Sequence, residues 1–303
     1  MRILFYGATG FVGKKLGLRL TQLGHELIVL ARFPERAREQ LSFPCEVYSW
    51  NPLQQETRES GAIRTIPINA LADIDAVINL AGEPVAGRRW SASVKRDIHA
   101  SRVEVTQKLL AAVAEVHPTK ELVIVNASAV GIYGDRGDEA ISENTAVGRD
   151  YLARVCSDWE AALFDSKLPK ARKVAIRIGL VLGVEGGVLQ QLIPVFRARF
   201  GGTLGSGKQY MSWIHIDDLV ELFVAALEKS EFSGPVNGVS PNPVTNRTFT
   251  QSLASACARP AFLPVPSIAL KALFGESASV VLTGARALPQ KAIENGFKFK
   301  FEK

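Results

Sequence analysis

The chain has 303 residues, 47% of them hydrophobic, enough for one large domain or two ordinary ones around a sizeable core. No uncharged apolar run of about eighteen residues is present, which excludes a membrane-spanning helix, and Met1 leads directly into RILFYG with no room for a signal peptide, so a cytoplasmic location is expected. The net charge of +6 could mean nucleic acid, an acidic membrane surface or an anionic small molecule; it is dispersed except in GRRWSASVKRDIHASR (87–102), a solvated helix face or a phosphate contact, so a small-molecule substrate and no nucleic acid is expected, and Cys45, Cys156 and Cys257 are too far apart for a disulfide framework or, with four histidines, a metal site.

The first predicted element is a short buried strand, ILFY at 3–6, followed by GATGFVG at 7–13. Gly7 suits a tight turn, Gly10 a close approach to a pyrophosphate, and Gly13 close packing of the helix predicted over 11–24. That helix's N-terminus offers free N–H groups to phosphates, so a dinucleotide is expected here. A second strand, LIVL at 27–30, ends in Ala31 and Arg32, where an NAD-selective protein carries an acidic residue. Arg32 can pair with a 2′-phosphate, which favours NADP (NADPH) as the cofactor; as a solvated loop residue it would leave NAD equally acceptable.

Further buried runs follow at 76–81 (AVINLA), 122–127 (LVIVNA) and 174–182 (VAIRIGLVL), with one long helical stretch over 93–116. Strands apolar on both faces alternating with helices predict an α/β fold with a doubly wound parallel sheet (Rossmann). Past residue 183 the chain turns glycine- and proline-rich, which suggests a smaller, partly interleaved C-terminal α/β domain for the substrate. The expected boundaries are 1–182 and 183–303, with 210–240 returning to the first domain. GTLGSGK (202–208) nearly spells a triphosphate loop, but Gln209 stands where a magnesium-binding Ser or Thr belongs, so a flexible loop near the second ligand is expected and not an ATP site. FKFKF at 297–301 alternates like a terminal edge strand.

GATGFVG, NLAG (79–82), NASAVGIYG (126–134) and WIHIDDL (213–219) together resemble an extended short-chain dehydrogenase/reductase, a group that includes sugar-nucleotide epimerases. NLAGEPVAGRRW, MSWIHIDDLV, PVNGVSPNPVTN and the tail from RPAFLPVPS to ALPQK resemble, more narrowly, an atypical epimerase-like subgroup with its own C-terminal extension. Some members of that subgroup bear epimerase names, others names linked to cell or plastid division. The cofactor set expected is Gly7, Thr9, Gly10, Phe11, Val12, Gly13, Ala31, Arg32, Leu80, Ala81 and Gly82, with Leu182 implied by the resemblance and Arg102 by its segment's place after NLAG, at the carboxyl end of a central strand. The resemblance implies Ser128 and Tyr151 as catalytic residues, but the lysine due four residues after Tyr151 is Val155, and the family's upstream Asn falls at or near Ser101.

The missing lysine matters because a free tyrosine has a pKa of about 10, so a base poised near neutrality needs roughly 4 kcal/mol of phenolate stabilisation. Arg154 on the same helix, or Arg88, Arg89 or Arg102 from the basic segment, could supply charge; Glu83 could act as acid or base instead, or form an ion pair with a nearby arginine. His215 suits an interface, and Trp90 and Trp213 suit packing. Two functions stay open: an NADP-dependent oxidoreductase or epimerase acting on an anionic small molecule such as a nucleotide sugar, or an NADP(H)-binding regulator acting through a protein partner, in cell or organelle division.

Overall fold

The alternating strands and helices assemble into one seven-stranded, all-parallel sheet in the computed structural model, which describes residues 1–53, 66–261 and 264–303. The first half runs β1 (Arg2–Tyr6), α1 (Phe11–Gln22), β2 (Glu26–Ala31), α2 (Pro34–Gln40), β3 (Glu46–Ser49), α3 (Ile68–Leu71), β4 (Ala76–Asn79), α4 (Ala92–Ala100), α5 (Val103–Val116) and β5 (Val123–Ala129). After a 3-10 turn come β6 (Ala140–Ile141), α6 (Tyr151–Phe164), β7 (Arg172–Ile178), β8 (Leu180–Gly183), α7 (Gly187–Arg197), β9 (Tyr210–Met211), β10 (Trp213–His215), α8 (Ile216–Glu228) and β11 (Gly234–Gly238). The chain ends with β12 (Val244–Thr245), α9 (Asn246–Ala256), α10 (Ser267–Phe274), α11 (Ser279–Leu282), β13 (Arg286–Ala287) and α12 (Gln290–Glu294).

The sheet order is β3-β2-β1-β4-β5-β7-β11. It reverses direction between β1 and β4, the place where doubly wound sheets open a crevice beyond their carboxyl ends. Leu16 and Leu20 of α1 pack with Leu219, Val220 and Phe223 of α8 on one face, while Val105, Leu109 and Val113 of α5 and Leu163 of α6 cover the other. Burial on both sides is what the unbroken apolar runs of the strands required. A separate apolar cluster of Phe196, Phe249, Leu253 and Ala254 joins α7 to α9 at the carboxyl end of the sheet.

Three sequence expectations change. The run 174–182 is two strands, because the chain breaks at Gly179, where an added Cβ would lie 2.2 Å from the Ser212 carbonyl; β8 then leaves the main sheet to pair with β10. The helical stretch 93–116 is two helices, with Ser101 and Arg102 forming the joint. FKFKF is not a strand. The backbone N–H groups of Lys300 and Phe301 donate to the two carboxylate oxygens of Asp218, each at 2.9 Å, and the Phe301 ring stacks 3.7 Å from His215. A side chain thus takes the donors that a neighbouring strand would have taken. Residues 262 and 263 of the RPAFLPVPS segment lie outside the described residues.

Candidate functional site

The crevice between β1, β2 and β4 holds a cavity of about 390 Å³ lined by Gly7, Thr9, Gly10, Ala31 and Arg32, with Leu80, Ala81, Gly82 and Glu83 on its β4 side. Each glycine of the loop does a separate job. Gly7 has φ +94°, and a Cβ there would meet the Leu80 carbonyl carbon at 2.8 Å. Gly13 is closed in more tightly, with a Cβ position 2.2 Å from the Gly7 carbonyl oxygen. Gly10 differs: its nearest atom is that same oxygen at 3.4 Å, so the side facing the cavity is open. An open Gly10 at the start of a twelve-residue helix fits a pyrophosphate lying against free N–H groups. Of the other loop residues, Val12 packs on the central core, and the Phe11 ring lies beneath the turn made by Gly183, Gly186 and Gly187.

At the far end of the cavity, Ala31 closes β2 and Arg32 follows it, with Phe33, Arg36 and Pro52 completing the wall. Arg36 escaped the sequence reading, although its place in the first turn of α2, four residues from Arg32, was the signal available. Arg32 Nη1 lies 3.6 Å from Glu83 Oε1, with both side chains partly exposed. The arginine that pairs with the Glu83 carboxylate is therefore Arg32, just after β2, not one from the basic segment.

Arg102 sits at the α4–α5 joint and turns back under the β4 loop. Its guanidinium donates to the carbonyls of Ile98 (3.1 Å) and Glu83 (3.0 Å), and stands 5.3 Å from the centre of the Trp159 ring. A Cβ on Gly82 would lie 3.1 Å from it. Among the described residues, then, Arg102 spends its donors on two carbonyls and the Ser101 hydroxyl (3.4 Å) rather than on a carboxylate, beside the cavity wall. Ser101, where the family's Asn was expected, accepts from the Glu83 N–H at 3.1 Å and fixes that same loop. Leu182, the last residue but one of β8, packs with the α7–α9 cluster.

The two catalytic candidates have different surroundings. Ser128 is 3% exposed and donates to Glu160 Oε1 at 2.7 Å. Glu160 accepts two 2.8 Å hydrogen bonds from Arg177, which also donates to Tyr133 Oη at 2.8 Å; Tyr133 in turn donates to Asn237 Oδ1 at 2.7 Å. Burial works against the Arg177 guanidinium, but the hydrogen bonds and charge of Glu160 outweigh it and hold the pKa above its ordinary value. This network was missed in the sequence; a charged residue inside the apolar run VAIRIG was its one trace.

Tyr151 opens α6, one residue after Asp150 caps the helix by accepting from Ala153 N–H. Its hydroxyl donates to the Lys95 carbonyl at 2.7 Å, and its ring meets Trp90 edge-on at 5.1 Å. Burial pushes its pKa up, the Arg102 charge pulls it down, and Glu276 pushes it up again; the net is upward. Val155, in the lysine's place, is 2% exposed and belongs to the core. Arg154 points away, donating to the Arg149 carbonyl at 3.2 Å, and Arg89 reaches the Ala272 carbonyl at 3.1 Å. His215 caps α8 by accepting from Asp217 N–H, and Trp213 is buried, donating to the Asn242 carbonyl.

Residues 3–237 match the NAD dependent epimerase/dehydratase family, and residues 265–303 match a domain of unknown function, DUF1731. The chain belongs to the NAD dependent epimerase/dehydratase family. Among its relatives in this family, the chloroplastic epimerase family protein SDR39U1 homolog of Arabidopsis thaliana is 42% identical over 306 residues, covering 100% of this chain and 84% of that protein. The crystal structure of human epimerase family protein SDR39U1 with NADPH superposes with a TM-score of 0.85 at 31% identity, covering 100% of this chain and 96% of that one. A nucleoside-diphosphate sugar epimerase from Corynebacterium glutamicum gives a TM-score of 0.76 at 32% identity, covering 100% of this chain and 56% of that one. The NADP expected from Arg32 thus has a counterpart in the human relative. Among the described residues, no helix is long and apolar enough to cross a membrane, and no cluster of His, Cys, Asp or Glu could hold a metal ion.

Proposed function

We propose that this family member is an NADP(H)-dependent oxidoreductase of the epimerase type, acting on a small anionic substrate such as a nucleotide sugar. The observation that carries the reading is the cavity itself: an open Gly10 at one end, Arg32 and Arg36 at the other, and Ala31 where a carboxylate would repel a 2′-phosphate. NADPH in the human relative and the sugar-nucleotide name of the Corynebacterium relative support it. When bound, the nicotinamide supplies or accepts a hydride. The α1 N-terminus holds the pyrophosphate, and the two arginines hold the 2′-phosphate through charge-assisted hydrogen bonds. Tyr151 carries the proton at its Oη, after exchanging the Lys95 carbonyl for the substrate. Ser128 orients the substrate only by giving up Glu160 in the same way. We assign Glu83 to Arg32 as its counter-charge, and Leu182 to the nicotinamide side. A cytoplasmic setting, with its free pool of NADPH, goes with this reading.

One observation favours the second reading, an NADP(H)-dependent regulator that acts through a protein partner. The hydroxyls of Ser128 and Tyr151 are both already bonded to protein acceptors, and Val155 is core. The test is NADPH titration by fluorescence, followed by hydride exchange at the nicotinamide across a panel of carbonyls and nucleotide sugars, for wild type, Ser128→Ala and Tyr151→Phe. Turnover that falls by about 10²-fold or more in Tyr151→Phe supports the enzyme. Tight NADPH binding with no turnover on any compound selects the regulator, and a partner that is captured only with NADPH present would identify what it regulates.

A further inference from the structure

A lysine one helical turn after Tyr151 would stand on the same face of α6 and stabilise a phenolate; this chain has a buried valine there. Another lysine reaches the same ring from a different helix. Lys95 belongs to α4, and its backbone carbonyl accepts the Tyr151 hydroxyl at 2.7 Å, which fixes α4 against the start of α6. Its side chain then turns over the aromatic face, with Nζ 4.9 Å from the ring centroid. Beyond the ring the ammonium pairs with Glu276 Oε2 at 2.5 Å. Glu276 lies in the 3-10 turn after α10, inside the C-terminal domain of unknown function. The neighbouring Arg89–Ala272 contact ties the same two segments together.

We propose that Lys95 is the positioning residue that stands in for the absent lysine, its ammonium set over the Tyr151 ring by Glu276 of the C-terminal domain. The inference rests on the reading of Tyr151 as the proton carrier. A phenolate spreads its charge from oxygen into the ring, so a cation over the ring face stabilises the ionised form more than the neutral phenol. The groups around Tyr151 sort by element. Lys95 comes from α4, Arg102 from the α4–α5 joint, Glu276 from the C-terminal domain, and Asp150 and Arg154 from the ends and face of α6 itself. Arg154 is turned to the Arg149 carbonyl, and Asp150 is engaged as the helix cap. Arg102 draws the Tyr151 pKa down and Glu276 pushes it up, and Lys95 is the cation that stands over the ring itself. The C-terminal domain acquires a task in this arrangement: its carboxylate keeps a flexible lysine side chain in a single place.

The test needs no substrate. Fluorinated tyrosine is incorporated so that the phenols titrate where the protein is folded, and the Tyr151 resonance is identified by its loss in Tyr151→Phe. Fluorine NMR then follows its titration in wild type, Lys95→Met, Lys95→Gln and Lys95→Arg. Both neutral variants are expected to move the Tyr151 titration upward by about half a pH unit, the size of an exposed cation–π contact. Lys95→Arg should return it to the wild-type value. Where a turnover assay exists, the neutral variants should lose about threefold in rate, in step with the phenolate population. A Tyr151 titration unmoved in the neutral variants, with NADPH affinity and thermal midpoint unchanged, overturns the proposal. A titration that moves as expected while no compound is turned over defeats the oxidoreductase reading and leaves the control of Tyr151 by Lys95 standing.

Discussion

The cofactor crevice and the surroundings of Ser128 and Tyr151, the residues proposed for proton transfer, are built by different means. At the cofactor end the backbone shapes the site: Gly7, Gly10 and Gly13 form a loop whose Gly10 side opens on the cavity, and Arg32 on the far wall is held by a partly exposed ion pair with Glu83. Around the catalytic candidates the polar side chains named above already have protein partners, with Ser128 on Glu160, Tyr151 on the Lys95 carbonyl, and Arg102 on two carbonyls and the Ser101 hydroxyl. An exposed ion pair yields to a ligand at little cost; buried hydrogen-bond partners must be exchanged at a larger one. The contrast separates a dinucleotide site shaped by backbone from two catalytic candidates whose hydroxyls are already bonded within the protein.

The largest effect expected falls on the closed network. Replacing Glu160 with Ala leaves Arg177 charged, 5% exposed and without its carboxylate. Breaking a buried pair from one side costs about 3–5 kcal/mol, so chemical denaturation should show a loss of that size, together with release of the Ser128 hydroxyl. A loss under about 1 kcal/mol, the range of an exposed pair, would mean that water reaches Arg177, and the contrast between a closed and an open end would fail.

How much of this was legible in sequence follows the same division. Loop and strand geometry is encoded locally, so β1, α1, β2 and the three glycines could be placed from neighbouring residues. The network of Ser128, Glu160, Arg177, Tyr133 and Asn237 draws on β5, α6, β7, the 3-10 turn and β11, and no local pattern joins them. Strand β11 itself, GPVNG, carries too much glycine and proline to read as a buried strand, yet it pairs with β7 over five residues. FKFKF misled for the converse reason: its alternation was real, but a single buried Asp218 supplied the acceptors. Lys95 was seen only as part of a basic run, because its distance from Tyr151 in sequence, 56 residues, hides a contact made by folding.

The next effect tests the open end. Arg32→Ala removes a guanidinium suited to a 2′-phosphate, and a hydrogen bond to a charged group contributes about 1.5–3 kcal/mol. NADPH affinity should fall by roughly 10- to 100-fold while NADH affinity holds, as read by fluorescence titration of both. Equal losses for the two would remove the 2′-phosphate assignment and leave Arg32 as a general anchor. The measurement should be made at fixed, low salt, since both arginines at this end are exposed and screened.

The smallest effect is the one that decides between two roles for Glu83. Its carboxylate lies 3.6 Å from Arg32 Nη1, and Arg32 remains 56% exposed, so the pair contributes little to stability. It does occupy the guanidinium that a 2′-phosphate needs, and it places a like charge beside that phosphate. Glu83→Gln should therefore tighten NADPH by up to about fivefold, the equivalent of an exposed ion pair of roughly 1 kcal/mol, and leave NADH unchanged. A residue that moved the reacting proton would behave in the opposite way: NADPH affinity would hold, and turnover would drop by about 10²-fold or more. The sign of the change in affinity thus assigns Glu83 to the open end of the crevice or to the closed one, in a titration that requires no knowledge of the substrate.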